Sequence, residues 1–488
     1  MQTQFETGLV WFRRDLRTED NAALSLALGS CKRVFCVFLF DGDILDTLPR
    51  QDRRVEFIRE SVVELDAALR KLCGAPLAGL ISLHGKALEA IPKLALQLGT
   101  QAVFAARDYE PAAQARDAGV EAALATQGIA FLKAKDHVIF EEREVLTQGS
   151  KPYTVFTPYK RAWLARFGQD PAPVHNCQPP ASVLAERPSH LAQPVPTLAD
   201  LGFEPSNLRQ LRIPVGMSGA QQLLTDFLSR MESYDATRDF PSVKGPSYLG
   251  VHLRFGTVSI RQLVNLALPR HLAGNNGAST WLGELVWRDF YFQILANFPH
   301  AAHSSFKPEY EQIHWEDGER AEKLFDAWKQ GQTGYPLVDA AMAQLNQTGY
   351  MHNRLRMVAG SFLVKHLGID WRWGERYFAQ MLNDFDLSAN NGGWQWVSSS
   401  GCDAQPYFRI FNPVSQSEKF DAQGKFIKRY LPQLSQLQGK ALHAPWVGKA
   451  DELAEAGVVL GGNYPTPVVD HAQARSRTLL RYGAVRKP

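Results

Sequence analysis

The chain has 488 residues, of which 45% are hydrophobic and 21% charged, and its formal net charge is +3. That length predicts two or more domains, and the composition is that of an ordinary globular protein. Excluded are a helical membrane span, for which no apolar run approaches about 20 residues, and a cysteine-held metal centre, since the five cysteines at 31, 36, 73, 177 and 402 contain no CxxC pair.

The first apolar run, Gly8 to Phe12, meets Arg13, Arg14, Asp15 and Arg17 almost at once, so no signal peptide is expected. Sparse cysteines in odd number suit a reducing compartment, and a cytoplasmic protein with no membrane partner is predicted. Between residues 8 and 135, β-rich runs alternate with amphipathic segments. The runs are Leu9–Phe12, Val34–Phe40, Leu80–Leu83, Ala102–Ala106 and Ile129–Leu132, and Arg53–Leu72 is the clearest helix between them. Apolar strands separated by helices predict βαβ units and a parallel sheet, Rossmann-like in its winding. There is no GxGxxG, so a standard dinucleotide site is not expected there. Residues 168–215 hold many prolines, Pro171, Pro173, Pro179, Pro180 and Pro188 among them, and read as part of a surface linker over 136–217. From 218 to 488 the pattern is helical, with helices expected at Gln221–Ser233, Ser279–Ala296, Ala321–Lys329, Leu337–Leu345, Asn353–Leu367 and Glu375–Leu382.

Nine of the eleven tryptophans lie between 281 and 446. Any one of them is most simply core. Three local arrangements say more. In Trp281-Leu-Gly-Glu284-Leu-Val-Trp287-Arg288, Trp281, Glu284 and Arg288 share a helical stripe. A carboxylate among tryptophans must be paired, protonated or functional, and a plain Glu284–Arg288 surface pair is the simpler alternative. In Met351-His352-Asn353-Arg354-Leu355-Arg356-Met357, Asn353 and Met357 share a face. The arginines point elsewhere, either to ligands or merely to water. In Asp384-Phe385-Asp386-Leu387-Ser388-Ala389-Asn390-Asn391-Gly392-Gly393-Trp394-Gln395-Trp396, the Asn-Asn-Gly-Gly run predicts a turn that lets backbone approach a ligand closely.

These segments carry a resemblance. WLGELVWRDFY, GYPLVDAAMAQLNQTGYMHNRLRM, DWRWGERYF, DFDLSANNGGWQW and PYFRIFNPVSQSEKF, with the opening GLVWFRRDLRTEDNAAL, resemble the photolyase/cryptochrome family over nearly the whole chain. MHNRLRM is similar to the class I cyclobutane pyrimidine dimer (CPD) photolyases.

The resemblance implies three parts: an α/β antenna-binding domain over 1–135, a linker over 136–217, and an all-α FAD- and DNA-binding catalytic domain over 218–488. It implies a carbon–carbon lyase that splits pyrimidine dimers in DNA by light-driven electron transfer from reduced FAD (FADH⁻) to a flipped-out dimer. Asn390 is implied to face flavin N5, Arg356 and Asp384 to form an ion pair beside the ring, and Asp386 to bind its polar edge or ribityl region. Tyr234, Ser247, Leu249, Trp281 and Arg288 match positions lining the rest of FAD. Three departures stand out: two in the phosphate-binding segment, where Pro246 and Gly250 replace hydroxyl residues, and a third at Phe385, which replaces a small residue. Glu284 and Asn353 are implied to hydrogen-bond the dimer, Met357 to pack on it, and Trp287 and Trp396 to cradle it. Arg238, Arg354, Arg409, Gln416 and Lys419 are implied to touch DNA, single- or double-stranded, with binding by a monomer. Trp394, Trp371 and Trp315 match an electron relay. Asp108 and Glu110 are similar to the antenna site of deazaflavin-binding members more than to that of folate-binding ones, with Arg254 where those members often carry lysine. Methenyltetrahydrofolate or no antenna stay open.

Two rivals share the fold. A cryptochrome-type blue-light photoreceptor typically carries a long C-terminal extension, whereas here the chain ends soon after Val468-Val469-Asp470-His471, in Arg486-Lys487-Pro488. A (6-4) photolyase needs a histidine acid near the lesion, and His352 is expected on a different face from Asn353 and Met357.

Overall fold

A computed structural model describes residues 4–75, 77–178 and 183–485, so Pro179, Pro180 and the Arg486–Pro488 tail lie outside the described residues. The chain divides into two compact units. The first comprises the residues up to Tyr153, Thr157–Glu232 and Ser247–Asn297, and the second Thr154–Phe156, Ser233–Pro246 and everything from Phe298 on. The first unit thus runs past residue 218, where the helical domain was expected to start.

In the first unit five strands form one parallel sheet: β1 (Phe5–Phe12), β2 (Cys31–Asp41), β3 (Leu80–Gly85), β4 (Ala102–Ala106) and β5 (Ala130–Ala134), in the order β3-β2-β1-β4-β5. The strands read as unbroken apolar runs because both faces are covered. Val10 and Phe12 enter one core cluster, while Leu9 and Trp11 enter another. Helices Ala22–Ser30, Arg53–Cys73, Ala87–Gln97 and Pro111–Ala125 alternate with the strands. Helix Arg53–Cys73 starts where Asp52 accepts from the Arg54 N–H and stops at Gly74, whose φ of 70° is the left-handed cap glycine favours.

The proline-rich segment is more than surface cover. It contributes buried Leu184, Val195, Leu201, Phe203 and Leu208 to the core on the Val10 face. Val34 donates to the Val183 carbonyl at 2.8 Å and accepts from Ala185 at 2.9 Å, so the segment lays one bridge onto β2. Ahead of it, Phe156–Gln169 is a helix. The unit closes with helices Gly216–Leu228, Gly250–Phe255, Ile260–Leu272 and Asn276–Asn297.

Among the described residues the second unit has only helices and loops. Its core gathers Trp328, Leu355, Phe362, Trp371, Phe378 and Trp394. The expected helix Asn353–Leu367 is α-helical from Asn353 to Phe362 and widens to a π-turn over Leu363–Leu367.

The turn expected at Asn390–Gly393 is not there: those residues lie inside helix Leu387–Ser398. Asp386 caps that helix, accepting from Ser388 and Ala389 N–H. Two glycines and two asparagines cost a helix roughly 3 kcal/mol relative to alanine. Burial of Trp394 and Val397 on the same helix is worth about 2–3 kcal/mol each, so packing outweighs propensity.

Candidate functional site

The expected site residues fall into two groups, one in each unit. In the first unit helix Asn276–Asn297 carries Trp281, Glu284, Trp287 and Arg288. Trp281 is buried against Phe227, ring centroids 4.8 Å apart. Glu284 is half-buried, and Lys160 of helix Phe156–Gln169 is its electrostatic neighbour. Burial pushes the Lys160 pKa down, and the Glu284 charge opposes that shift. Trp287 is half-buried and stacks on Tyr291 at 5.4 Å. Arg288 donates to the His137 carbonyl and lies 4.6 Å over Phe292, so part of its guanidinium is occupied within the unit.

Ser247, Tyr248 and Leu249 lead into helix Gly250–Phe255. The Leu249 N–H donates to Ser247 Oγ at 3.4 Å. Tyr248 has a φ of 59°, unusual for a tyrosine. Gly250, one of the three departures, begins the helix.

The acids Asp108 and Glu110 follow β4 in the same unit. Arg14 reaches Asp108 at 3.2 Å and Glu110 at 3.0 Å, and Arg254 also pairs with Glu110. Burial alone raises the Asp108 pKa, but the charges of Arg14, Arg13 and Arg254 more than offset it and hold the carboxyl below its usual range. Both acids are thus bound to arginine.

In the second unit Arg356 Nη2 contacts both Asp384 oxygens, at 3.0 and 2.9 Å, while its Nε donates to the Met351 carbonyl at 2.8 Å. Phe385, the third departure, is half-buried against the unit's core. Asn390 Nδ2 donates to Glu375 Oε1 at 3.0 Å and to the Glu375 carbonyl at 3.1 Å. With its amide nitrogen held there, Asn390 has its carbonyl oxygen left for a ligand. Burial raises the Glu375 pKa, and the bond from Asn390 opposes the rise. Sequence reasoning missed Glu375, because nothing in a 15-residue separation joins it to Asn390.

On helix Asn353–Phe362, Asn353 is exposed and Met357 half-buried, four residues apart on one face. His352 caps this helix, its Nδ1 accepting from the Arg354 N–H at 3.2 Å. Burial pushes its pKa down to about 4, which favours the neutral ring that this bond needs. Trp396 is half-buried against the same core.

A cationic cluster surrounds Phe420. Arg354 lies 4.4 Å over the ring and pairs with Asp239 at 2.9 Å; Lys419 lies 5.2 Å over it. Arg238 stacks 5.5 Å over buried Tyr234. Gln416 is on the same helix as Lys419, and Arg409 is exposed on the preceding loop. Asp239, the partner of Arg354, was not foreseen either.

Trp394 packs edge-on against Phe378 at 4.9 Å and Trp328 at 6.1 Å. Trp371 is buried, and Trp315 meets Tyr482 at 6.2 Å. The indole N–H groups of Trp371 and Trp394 are buried with no acceptor.

A flavin presents a ring N–H or lone pair, an amide-like polar edge and a phosphate tail. A carbonyl acceptor and a guanidinium–carboxylate pair, from two short chain segments, suit the ring N–H and the polar edge.

The chain matches two family descriptions: "DNA photolyase" over residues 8–180 and "FAD binding domain of DNA photolyase" over 281–484. It is 40% identical to a deoxyribodipyrimidine photo-lyase of Salmonella typhimurium, over 99% of both chains. Among solved structures it resembles a bacterial class III photolyase from Agrobacterium tumefaciens, at TM-score 0.87 and 35% identity, covering 100% of this chain and 99% of that one. It also resembles an archaeal photolyase from Sulfolobus tokodaii that holds two FAD molecules, at TM-score 0.80 and 31% identity, covering 98% of this chain and 100% of that one.

Proposed function

The chain belongs to the DNA photolyase family, and on that premise we propose that it uses light and reduced FAD to repair cyclobutane pyrimidine dimers in DNA. The observation that carries this reading is the Asn390 amide, whose nitrogen is spent on Glu375 so that its carbonyl remains as the acceptor. That acceptor suits a flavin whose N5 carries a hydrogen. The Arg356–Asp384 ion pair would hold the ring of that flavin, and Asp386 would bind its polar edge or ribityl region. Tyr234, Ser247, Leu249, Trp281 and Arg288 line the remainder.

Reduced FAD, when bound, supplies an excited electron and takes it back after the ring is split. The protein's own work is to bind, orient and keep water out. Glu284 and Asn353 hold the base edges, and Glu284, protonated or sharing a proton, donates to a carbonyl that gains charge, as a preorganised donor should. Met357 packs on the dimer, and Trp287 and Trp396 cradle it. A dimer inside a duplex must flip out to be reached, which costs least where pairing is already damaged. Arg238, Arg354, Arg409, Gln416 and Lys419 grip the backbone of single- or double-stranded DNA, so binding is salt-dependent with little sequence preference. Trp394, Trp371 and Trp315 carry electrons inward when the flavin is oxidised. Residues 1–135 bind an antenna chromophore, for which the acids Asp108 and Glu110 favour a deazaflavin over methenyltetrahydrofolate. Residues 136–217 link this region to a catalytic domain over 218–488. The protein acts as a cytoplasmic monomer; no helix among the described residues is long and apolar enough to cross a membrane.

The test is to purify the protein, record its visible spectrum and illuminate it with dimer-containing DNA. Light-dependent loss of dimers is expected; no bound flavin, or flavin without repair, sinks the reading. Glu284→Ala should lower the repair yield by roughly tenfold or more, the scale of a lost transition-state donor, while the flavin spectrum persists. An unchanged yield removes Glu284 from the role given to it.

A further inference from the structure

Lys365 lies in the π-turn Leu363–Leu367 of the second unit and is fully buried. Its Nζ donates to Ser399 Oγ at 3.1 Å and to the Arg409 carbonyl at 3.0 Å. These two partners bracket one loop. Ser399, at φ 69°, ends helix Leu387–Ser398, and the chain then runs through 400–409 before Asn412 caps helix Pro413–Phe420. Near the loop's far end Phe408 is 62% exposed and Arg409 is exposed beside it. An exposed aromatic next to an arginine suits a nucleic acid, which offers a base to stack on and a phosphate to pair with.

A buried ammonium is costly and persists only where hydrogen bonds satisfy it. No carboxylate is among its hydrogen-bond partners. The titratable groups that face it are Arg409 from the loop, which is charged, and His366 from its own segment. His366 is kept neutral by burial, its pKa pushed down to about 3, and it meets His471 at 2.9 Å. Helix His471–Gly483 adds only the Thr478 hydroxyl, which donates to the Lys365 carbonyl.

We propose that Lys365 is a positioning residue for DNA binding: its ammonium clips both ends of loop 399–409 and so presents Arg409 and Phe408 to the nucleic acid. The inference rests on the reading above that Arg409 meets DNA. Its charge state makes the clip sensitive to pH. Burial, with repulsion from Arg409 second, pushes the Lys365 pKa down to about 7. A DNA phosphate at Arg409 adds negative charge nearby and favours the protonated form. Binding therefore takes up a proton, and affinity is full below that pKa and weakens as pH rises through it.

The experiment measures affinity of the FAD-loaded protein for dimer-containing DNA at several pH values between about 6 and about 8.5, for the unmodified chain, Lys365→Met and Arg409→Ala. The unmodified chain should weaken several-fold across that range. Lys365→Met should bind roughly tenfold less tightly at the acid end and lose the pH dependence, with its flavin spectrum intact, and Arg409→Ala should weaken binding comparably. If Arg409→Ala binds normally, the reading of Arg409 as a DNA contact fails and this inference fails with it. If Arg409→Ala is weak but Lys365→Met matches the unmodified chain, only the inference fails. Should Lys365→Met not fold, Ser399→Ala, which removes one of the two partners of Nζ, takes its place: unchanged affinity in that variant overturns the clip.

Discussion

Asn390 is a residue whose chemistry depends on which end of its amide is free. Glu375 takes the nitrogen twice, once by side chain and once by backbone. An aspartate at 390 would set two oxygens against those two acceptors and lose both bonds, each worth about 1 kcal/mol net and more once charge is involved. Asn390→Asp is therefore expected to bind FAD while letting the photoreduced flavin reoxidise in air at least about tenfold faster, a 1.4 kcal/mol effect. Absorbance after a light pulse measures this; unchanged reoxidation would show that the amide's orientation does not matter. Other single residues were plain in the sequence: Arg356 and Asp384 form the ion pair that the resemblance implied. Partners distant in sequence, Glu375 for Asn390 and Asp239 for Arg354, were not, because only tertiary packing pairs them.

Among the elements, the five strands of the sheet were legible to within a few residues, since doubly covered strands write themselves as apolar runs. Helix Leu387–Ser398 was not. Its Asn-Asn-Gly-Gly core carries the local signal of a turn, and the burial of Trp394 and Val397 that overrides it comes from other helices. Gly374 makes the same point from the opposite side. A Cβ there would fall inside the van der Waals envelope of the Trp394 ring. Gly374→Ala should thus displace Trp394 and cost about 1–3 kcal/mol, the usual range for overpacking. Urea unfolding gives the stability, and light-driven reduction of oxidised flavin reports whether the displaced indole still relays electrons. No change in either would mean that the helices carrying the two residues can move apart freely.

Across the whole molecule, burial neutralises histidines in both units. It pushes His137 and His366 down to about 3, and His252 and His352 down to about 4. Each binds a proton more readily when unfolded, where its pKa is near 6.5, so its contribution to stability is full above that value and lost as pH falls below it. Asp289 and Asp339 act in the opposite sense. Burial raises each to about 6, so they favour the fold as pH falls below that point. Between pH values of about 7 and 6 the histidines dominate, and the urea midpoint should fall on acidification before any ordinary carboxylate titrates. A midpoint that holds or rises over that interval would contradict the buried neutral state of these rings. The four weak helix formers at 390–393 have a last consequence. A helix whose order is borrowed from its neighbours loses it first when a neighbour is removed. Amide hydrogen exchange along Leu387–Ser398 should therefore be slow in the FAD-loaded protein and fast in the apoprotein, which makes this one helix a gauge of how much of a preparation is loaded.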